Sequence, residues 1–194
     1  PVGQVGISEK GYLSLRLKAK VSGGHSATPP ERTAIGSLGL AIAALEANPF
    51  PQRLDVIQFM MGFVGEALPF FERMRYANAW LFGSGLKRKL AAHPLTNALT
   101  RTTTAPTIIK GGSAENVLPA EAEALINFRI LPGDTVVDVF QSVNEMVGDE
   151  VIEVLPAHGE TLQDEHAWDP TPVADVDSPE FERLAELIRA TFPG

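Results

Sequence analysis

From Tyr12 to Val21 apolar and polar residues alternate: Leu13, Leu15, Leu17, Ala19 and Val21 against Ser14, Arg16, Lys18 and Lys20. A period of two is the pleat of a strand with one buried face, and Gly23-Gly24 closes it. The pattern then changes. Thr28 offers an N-cap, Pro29 suits a first helical position and Glu31 completes a capping box. Ile35, Leu38, Ile42 and Leu45 follow at helical spacing, up to Asn48-Pro49. Thr100 to Lys110 is rich in β-branched Thr and Ile, a strand composition, and ends at Gly111-Gly112. Ala122, Ala124, Ile126, Phe128 and Ile130 alternate with Glu121, Glu123, Leu125, Asn127 and Arg129, which predicts a second half-buried strand. Pro132-Gly133 turns the chain, with Asp134 as the expected cap. Val136, Val139, Phe140, Val143, Met146 and Val147 predict a second amphipathic helix, and Val151 to Leu155 a last short strand.

Strand, helix, strand, strand, helix, strand is the split unit of a ferredoxin-like β-α-β-β-α-β sandwich, an α+β fold. Two helices should cover one face of a four-stranded sheet and leave the other free, with the central strands drawn from the outer halves of the repeat. Residues 50 to 100 break the pattern. Phe59, Met60, Met61, Phe63, Phe70, Phe71, Trp80, Leu81 and Phe82 make them rich in large apolar side chains. We read a helical insertion, with helices around 67–82 and 84–92, whose apolar surface must pack on the domain or meet a partner. The Pro-, Asp- and Glu-rich stretch 156–177 reads as a linker. Ser178-Pro179-Glu180 starts a C-terminal helix with Phe181, Leu184, Leu187 and Ile188 on one side. The expected organisation is one domain over 7–157, and a linker and helix over 158–194 leading to a domain outside the chain.

Charge and composition narrow the function. The formal net charge of -8 argues against nucleic acid as a partner. The basic run Lys87-Arg88-Lys89 is short enough to be a solvated helix face. The absence of cysteine excludes disulfides, thiolate metal sites and cysteine nucleophiles. No apolar run approaches the ~18 residues of a membrane span, so no membrane partner is expected. Pro1-Val2-Gly3 and Phe192-Pro193-Gly194 read as cuts from a longer protein. No signal-peptide pattern is present, and because a leader would lie upstream the compartment stays open.

Three loops hold the candidate chemistry. His25 lies in Ser22-Gly23-Gly24-His25-Ser26-Ala27, between a strand and a helix, and is either a surface-loop histidine or an imidazole presented at a loop tip. Gly111-Gly112-Ser113-Ala114-Glu115-Asn116-Val117-Leu118-Pro119 is either a hairpin connection or a binding loop. Arg129 ends the polar face of its strand, as a solvated arginine or an anion ligand. His158 and His166 bracket Glu160, Asp164 and Glu165, which read as an acidic solvated linker rather than a metal site. No H-E-x-x-H or G-x-S-x-G is present, and no metal ligand is assigned.

Gly-Gly-His-Ser-Ala-x-Pro, then Gly-Gly-x-x-x-Asn-Val-Leu-Pro, then Phe-Arg before a helix, in that order on a split β-α-β-β-α-β frame, resembles the lid or dimerisation domain of the two-zinc aminoacylase, carboxypeptidase and deacylase family. The match spans about residues 7–157, and the helical insertion resembles the carboxypeptidase S-like branch. The resemblance implies a parent hydrolase acting on peptides or N-acyl amino acids, with two zinc ions in a catalytic domain and none in this fragment. It implies that His25 stabilises an oxyanion, often in a partner subunit. Asn116 would hold substrate, with Gly111 and Gly112 letting the backbone approach it, and Arg129 would clamp the substrate carboxylate. It also implies a homodimer. The family's His-x-Asp and Glu-Glu metal and base motifs are absent here, so the chain alone is expected to be inactive. The rival expectation is a stand-alone ferredoxin-like ligand-binding or dimerisation module with no enzymatic role.

Overall fold

Leu13, Leu15, Leu17 and Ala19 of the first strand, β1 (Gly11–Lys20), are fully buried. They face Ala122, Ala124, Ile126, Phe128 and Ile130 of β5 (Glu121–Ile130), so the two alternations define one core-facing surface. The computed structural model describes residues 5–64, 68–163 and 166–192. The sequence readings at residues 1–3 and 193–194, at Asp164 and Glu165, and at position 67 where a helix was expected to start lie outside the described residues.

Between these strands lie β2 (Gly24–His25), helices α1 (Ala34–Ala47), α2 (Asp55–Val64), α3 (Phe70–Ala77), α4 (Ala79–Ala91) and α5 (Pro94–Thr100), then β3 (Thr103–Gly111) and β4 (Val117–Leu118). After β5 come α6 (Val136–Val147), β6 (Ile152–Pro156) and α7 (Pro179–Thr191). The main sheet runs β3-β5-β1-β6, antiparallel throughout. This is the expected α+β, ferredoxin-like arrangement. Its centre differs in one respect. The central pair is β1 and β5, which open the two halves of the repeat, while β6, which closes it, lies at an edge. Helices α1 and α6 pack on the core face through Leu38, Leu45, Val139 and Val143, and Phe50 meets Phe128 edge-on at 6.2 Å.

Local chemistry moved two helix starts. Helix α1 begins at Ala34, where Thr33 Oγ1 accepts from Gly36 N, rather than near Thr28. Pro30 is the reason. A residue before proline is held out of the helical region, so Pro29 cannot open a helix. The change in phase leaves Ile35 exposed while Ala34, Ser37, Leu38, Ala41 and Leu45 are buried. Helix α6 is capped by Thr135 in a capping box with Asp138, not by Asp134. Asp134 instead accepts from Thr102 Oγ1 at 2.5 Å and pairs with Arg53 at 3.2 Å. Arg53 also donates to the Pro132 carbonyl at 2.5 Å. Gly133, with φ at 98°, takes the left-handed backbone of this turn, where a Cβ would meet Arg53 at 2.7 Å.

The insertion is helical, as the sequence predicts, but α3 ends at Asn78. That side chain donates to Met74 O at 2.9 Å and the Asn78 N–H reaches the same carbonyl, so the backbone turns there rather than four residues later. Among the described residues of helices α2 to α4, Ile57, Leu86 and Leu90 are buried, while Phe63, Phe70, Phe71, Trp80 and Leu81 are exposed. No helix among the described residues is long and apolar enough to cross a membrane. Lys10 closes the insertion's far end: its Nζ donates to the carbonyls of Ala98 and Arg101 at 2.8 and 2.7 Å, the C-terminus of α5, where a cation is favoured.

Residues 168–174 depart from a solvated linker. Trp168 exchanges two backbone hydrogen bonds with Tyr12, at 2.9 and 3.0 Å, Thr171 N donates to Glu9 O and Ala174 N to Ile7 O. The segment therefore runs antiparallel to residues 7–12 and continues the edge that β6 leaves. A Cβ on Gly11 would lie 2.6 Å from the Trp168 carbonyl oxygen, so only glycine permits this approach. The residues of α7 are half-buried or exposed, with Leu184 and Leu187 facing solvent.

Two outcomes follow from this packing. Leu15→Ala, at the centre of the core, should lower unfolding free energy by about 3 kcal/mol, and Leu187→Ala by less than about 0.5 kcal/mol, in urea denaturation. Burial lowers the Lys10 pKa to about 8 from 10.5, with Asp134 opposing and Arg129 reinforcing the shift. Between these two values the unfolded chain holds a proton that the folded chain has released. This group therefore makes the fold more stable as pH rises through that window, and its cost is present in full below it. Denaturation midpoints of Lys10→Met should lack the rise that the unaltered chain shows.

Candidate functional site

His25 stands on a two-stranded ribbon that prolongs the β1–β5 pair. Beyond the Lys20↔Glu121 pairing, Val21 N donates to Ala120 O, and β2 then pairs with β4 through Gly24↔Leu118 and His25↔Val117. Gly23 is needed here, because a Cβ would come 2.9 Å from the Leu118 carbonyl oxygen. The imidazole is exposed. Its Nδ1 accepts from Ala27 N at 3.1 Å. A nitrogen that accepts carries no proton, so in the neutral ring the proton sits on Nε2, which faces away as a donor.

Asn116 joins His25 through its main chain, its carbonyl accepting from Ser26 N at 3.1 Å. Among the described residues its carboxamide has no hydrogen-bond partner. Gly111 packs close, where a Cβ would lie 3.1 Å from Ala122 Cβ and 3.2 Å from Ile35 Cγ1. Gly112 has φ at 74°, the left-handed turn that carries the chain from β3 toward Asn116. The segment that runs from His25 to α1 is tied by Arg32, which pairs with Asp149 in the turn before β6 and holds its carboxyl below the usual range. The structure thus brings His25, Asn116, Gly111 and Gly112 to one end of the sheet.

Arg129 is not with them. It lies near the other end of β5, opposite Tyr12 and Thr103. Glu121 is eight positions away along the strand, about 26 Å at 3.3 Å per residue, and the His25 ribbon begins beyond that point. Its guanidinium carbon sits 4.8 Å from the Tyr12 ring centroid, and Trp168 stacks on the same ring at 4.9 Å and 16°. Among the described residues no acceptor takes a hydrogen bond from the guanidinium.

Tyr12, Trp168 and Lys10 were not picked out in the sequence as neighbours of Arg129. Tyr12 shares the polar phase of β1 with Ser14 and Arg16, a detectable signal once β1 and β5 are paired. Trp168 is a lone aromatic in an acidic, proline-containing stretch and has no periodicity to mark it.

Among the described residues the remaining histidines form no donor set. His158 and His166 have ring centroids 6.3 Å apart, and no group of three or more His, Asp or Glu among the described residues could hold a metal. Cavities among the described residues lie elsewhere. One of about 110 Å³ on the open sheet face is lined by Arg16, Lys110, Glu123 and His158. One of about 410 Å³ in the insertion is lined by Gln58, Met61, Arg73 and Tyr76. Neither includes His25, Asn116 or Arg129.

Residues 7–154 match the family model described as peptidase dimerisation domain. The chain is similar, at 36% identity over 193 residues, to the probable carboxypeptidase S-like 2 of Dictyostelium discoideum, covering 100% of this chain and 36% of that protein. It is 36% identical over 200 residues to the human N-fatty-acyl-amino acid synthase/hydrolase PM20D1, covering 100% of this chain and 38% of that protein. The chain thus spans little more than a third of the length of these curated relatives. In fold it resembles a M20 family metallo-carboxypeptidase from Sulfolobus solfataricus, with a TM-score of 0.58, 17% identity and coverage of 95% of this chain and 43% of that one. Human carnosine dipeptidase 1 gives a TM-score of 0.54 at 15% identity, covering 96% of this chain and 43% of that one.

Proposed function

The chain belongs to the peptidase dimerisation domain family, and from that membership we propose that it is the lid and dimerisation domain of a zinc-dependent amidohydrolase, a carboxypeptidase or N-acyl-amino-acid hydrolase. Residues 7–157 form the lid, with the helical insertion at about 50–100, and 158–194 lead back to a catalytic domain. The antiparallel run of residues 7–12 beside 168–174 supports this: both connections leave the lid side by side, as a domain inserted into another requires.

The observation that carries the reading is the exposed imidazole of His25, its Nδ1 engaged by Ala27 N, on a ribbon tied by Ser26 N to the carbonyl of Asn116. A donor held in one tautomer by the backbone is suited to an oxyanion that forms only in the transition state. Asn116 holds the substrate next to it, and the bare backbone of Gly111 and Gly112 lets that substrate come close. Arg129 receives the substrate carboxylate, since its planar fork can bind two oxygens at once. No donor cluster in the described residues fits zinc. The two zinc ions and the general base belong to the catalytic domain, where metal would activate the attacking water.

Separation along β5 makes the site a composite one. The scissile carbonyl and the carboxylate of an N-acyl amino acid are a few ångströms apart, whereas His25 and Arg129 of one chain stand more than about 26 Å apart. One chain cannot supply both to one substrate. A homodimer can, with His25 and Asn116 reaching the partner's catalytic domain and Arg129 serving its own. The outer side of β3 is a sheet edge, with Ile108 and Ile109 exposed, and offers a place for a second copy to pair.

The test is kinetic, on the full-length parent. His25→Ala should lower kcat by about 10²–10³-fold with zinc content unchanged. Arg129→Ala should raise KM for N-acyl amino acids by about 10–100-fold, the scale of a lost charge-assisted hydrogen bond. The purified chain alone, with added zinc, should hydrolyse neither dipeptides nor N-acyl amino acids. Unchanged kinetics in both variants, or turnover by the chain alone, would contradict the proposal.

A further inference from the structure

An arginine side chain that is exposed and makes no hydrogen bond is ordinarily mobile, and ordering it on a ligand costs rotamer entropy. Arg129 is exposed and donates to no acceptor among the described residues, yet it is held. Its guanidinium lies over the Tyr12 ring at 4.8 Å. Trp168 stacks on that ring at 4.9 Å. β5 and the Trp168 segment flank β1 on opposite sides, so cation and indole approach the phenol from opposite sides. The ring cannot swing away from either.

A cation held over an aromatic ring is held by the ring's π face and spends no N–H donor on an acceptor, so the donors stay available to a ligand. The platform is itself fixed. Trp168 and Tyr12 exchange backbone hydrogen bonds, Asp169 accepts from Val136 N at 2.7 Å at the start of α6, and Pro170 lies over Gly11, where no Cβ fits. The phenol oxygen is 3.1 Å from Ser14 Oγ, which also receives Asn127 Nδ2 at 3.1 Å.

We propose that Tyr12 and Trp168 are positioning residues that hold the Arg129 fork open for the carboxylate of an N-acyl amino acid. The inference rests on the reading of Arg129 as the carboxylate receptor and adds how its affinity is set. Residues 168–170, which lead away from the sandwich, thereby become part of the binding site, and their docking on Gly11 couples that connection to substrate affinity.

The test titrates this chain, carrying isotope-labelled arginine, with N-acetylglycine and, as the neutral control, N-acetylglycinamide, and follows the arginine Nε–H resonances by NMR. The acid should shift the Arg129 signal saturably, the amide should not, and Arg16 should stay still. Trp168→Leu should weaken binding by about three- to tenfold and Trp168→Phe should restore it, the rescue expected of a stacking role and not of mere bulk. Gly11→Ala, which displaces the 168–170 segment without touching either ring, should give the same loss. Trp168→Leu and Gly11→Ala binding as tightly as the unaltered chain, while Arg129→Ala abolishes binding, would overturn the positioning role and leave the Arg129 reading standing. No shift of Arg129 in the unaltered chain, or undiminished binding by Arg129→Ala, would overturn that reading and this inference together.

Discussion

The ten-residue antiparallel pairing of β1 with β5 is the constraint on which the rest depends. It runs without a bulge from Gly11↔Ile130 to Lys20↔Glu121. A slip of one residue would turn Leu13, Leu15, Leu17 and Ala19 to solvent and bring Arg16 and Lys18 inside, a reversal that no surface pairing could offset. The open face reinforces the register with Lys18 paired to Glu121 of β5 at 2.8 Å, and Lys20 pairs with Glu153 of β6 at 2.9 Å on the other side of β1. Such pairs add little stability, yet they penalise the alternatives.

The same ladder sets the geometry of the chemistry. Its one end continues into the β2–β4 ribbon that carries His25 beside Asn116, and its other end carries Arg129 on the ring of Tyr12. Because both strands are extended, neighbours in sequence are far apart in space. Asn116 and Arg129 share one short stretch of chain and stand at opposite ends of the sheet. A lid built on this frame can reach in two directions at once, and in our reading it serves two active sites in a symmetric pair.

Much of the fold was legible because strands and helices with one buried face announce their period. β1, β5, α6 and the capped start of α7 lie within a residue or two of where the pattern put them. The capping signal at Thr28 does not start α1, because the ring of Pro30 forbids a helical Pro29 and the helix waits for Thr33. Asp134 looked like a cap, and a buried Thr102 claimed it instead. The site was legible residue by residue and not as a geometry. Nothing in the spacing of His25, Asn116 and Arg129 reveals which share an end of the sheet until β1 and β5 are set in register. Trp168 was invisible for a different reason. It acts through one ring contact and two backbone hydrogen bonds, none of which imposes a pattern on its neighbours in sequence.

The central claim is that His25 and Arg129 of one chain serve different active sites. Subunit complementation in the full-length parent measures this directly. His25→Ala and Arg129→Ala proteins are unfolded together, refolded as a mixture and assayed at substrate well below the unaltered KM, where each alone has little activity. If the two residues act in different sites, each mixed dimer rebuilds one complete site from an intact His25 and an intact Arg129, and random pairing restores about one quarter of the unaltered activity. If they act in the same site from the same chain, every site in the mixed dimer lacks one residue. The mixture would then be no more active than its components, and the account would be wrong.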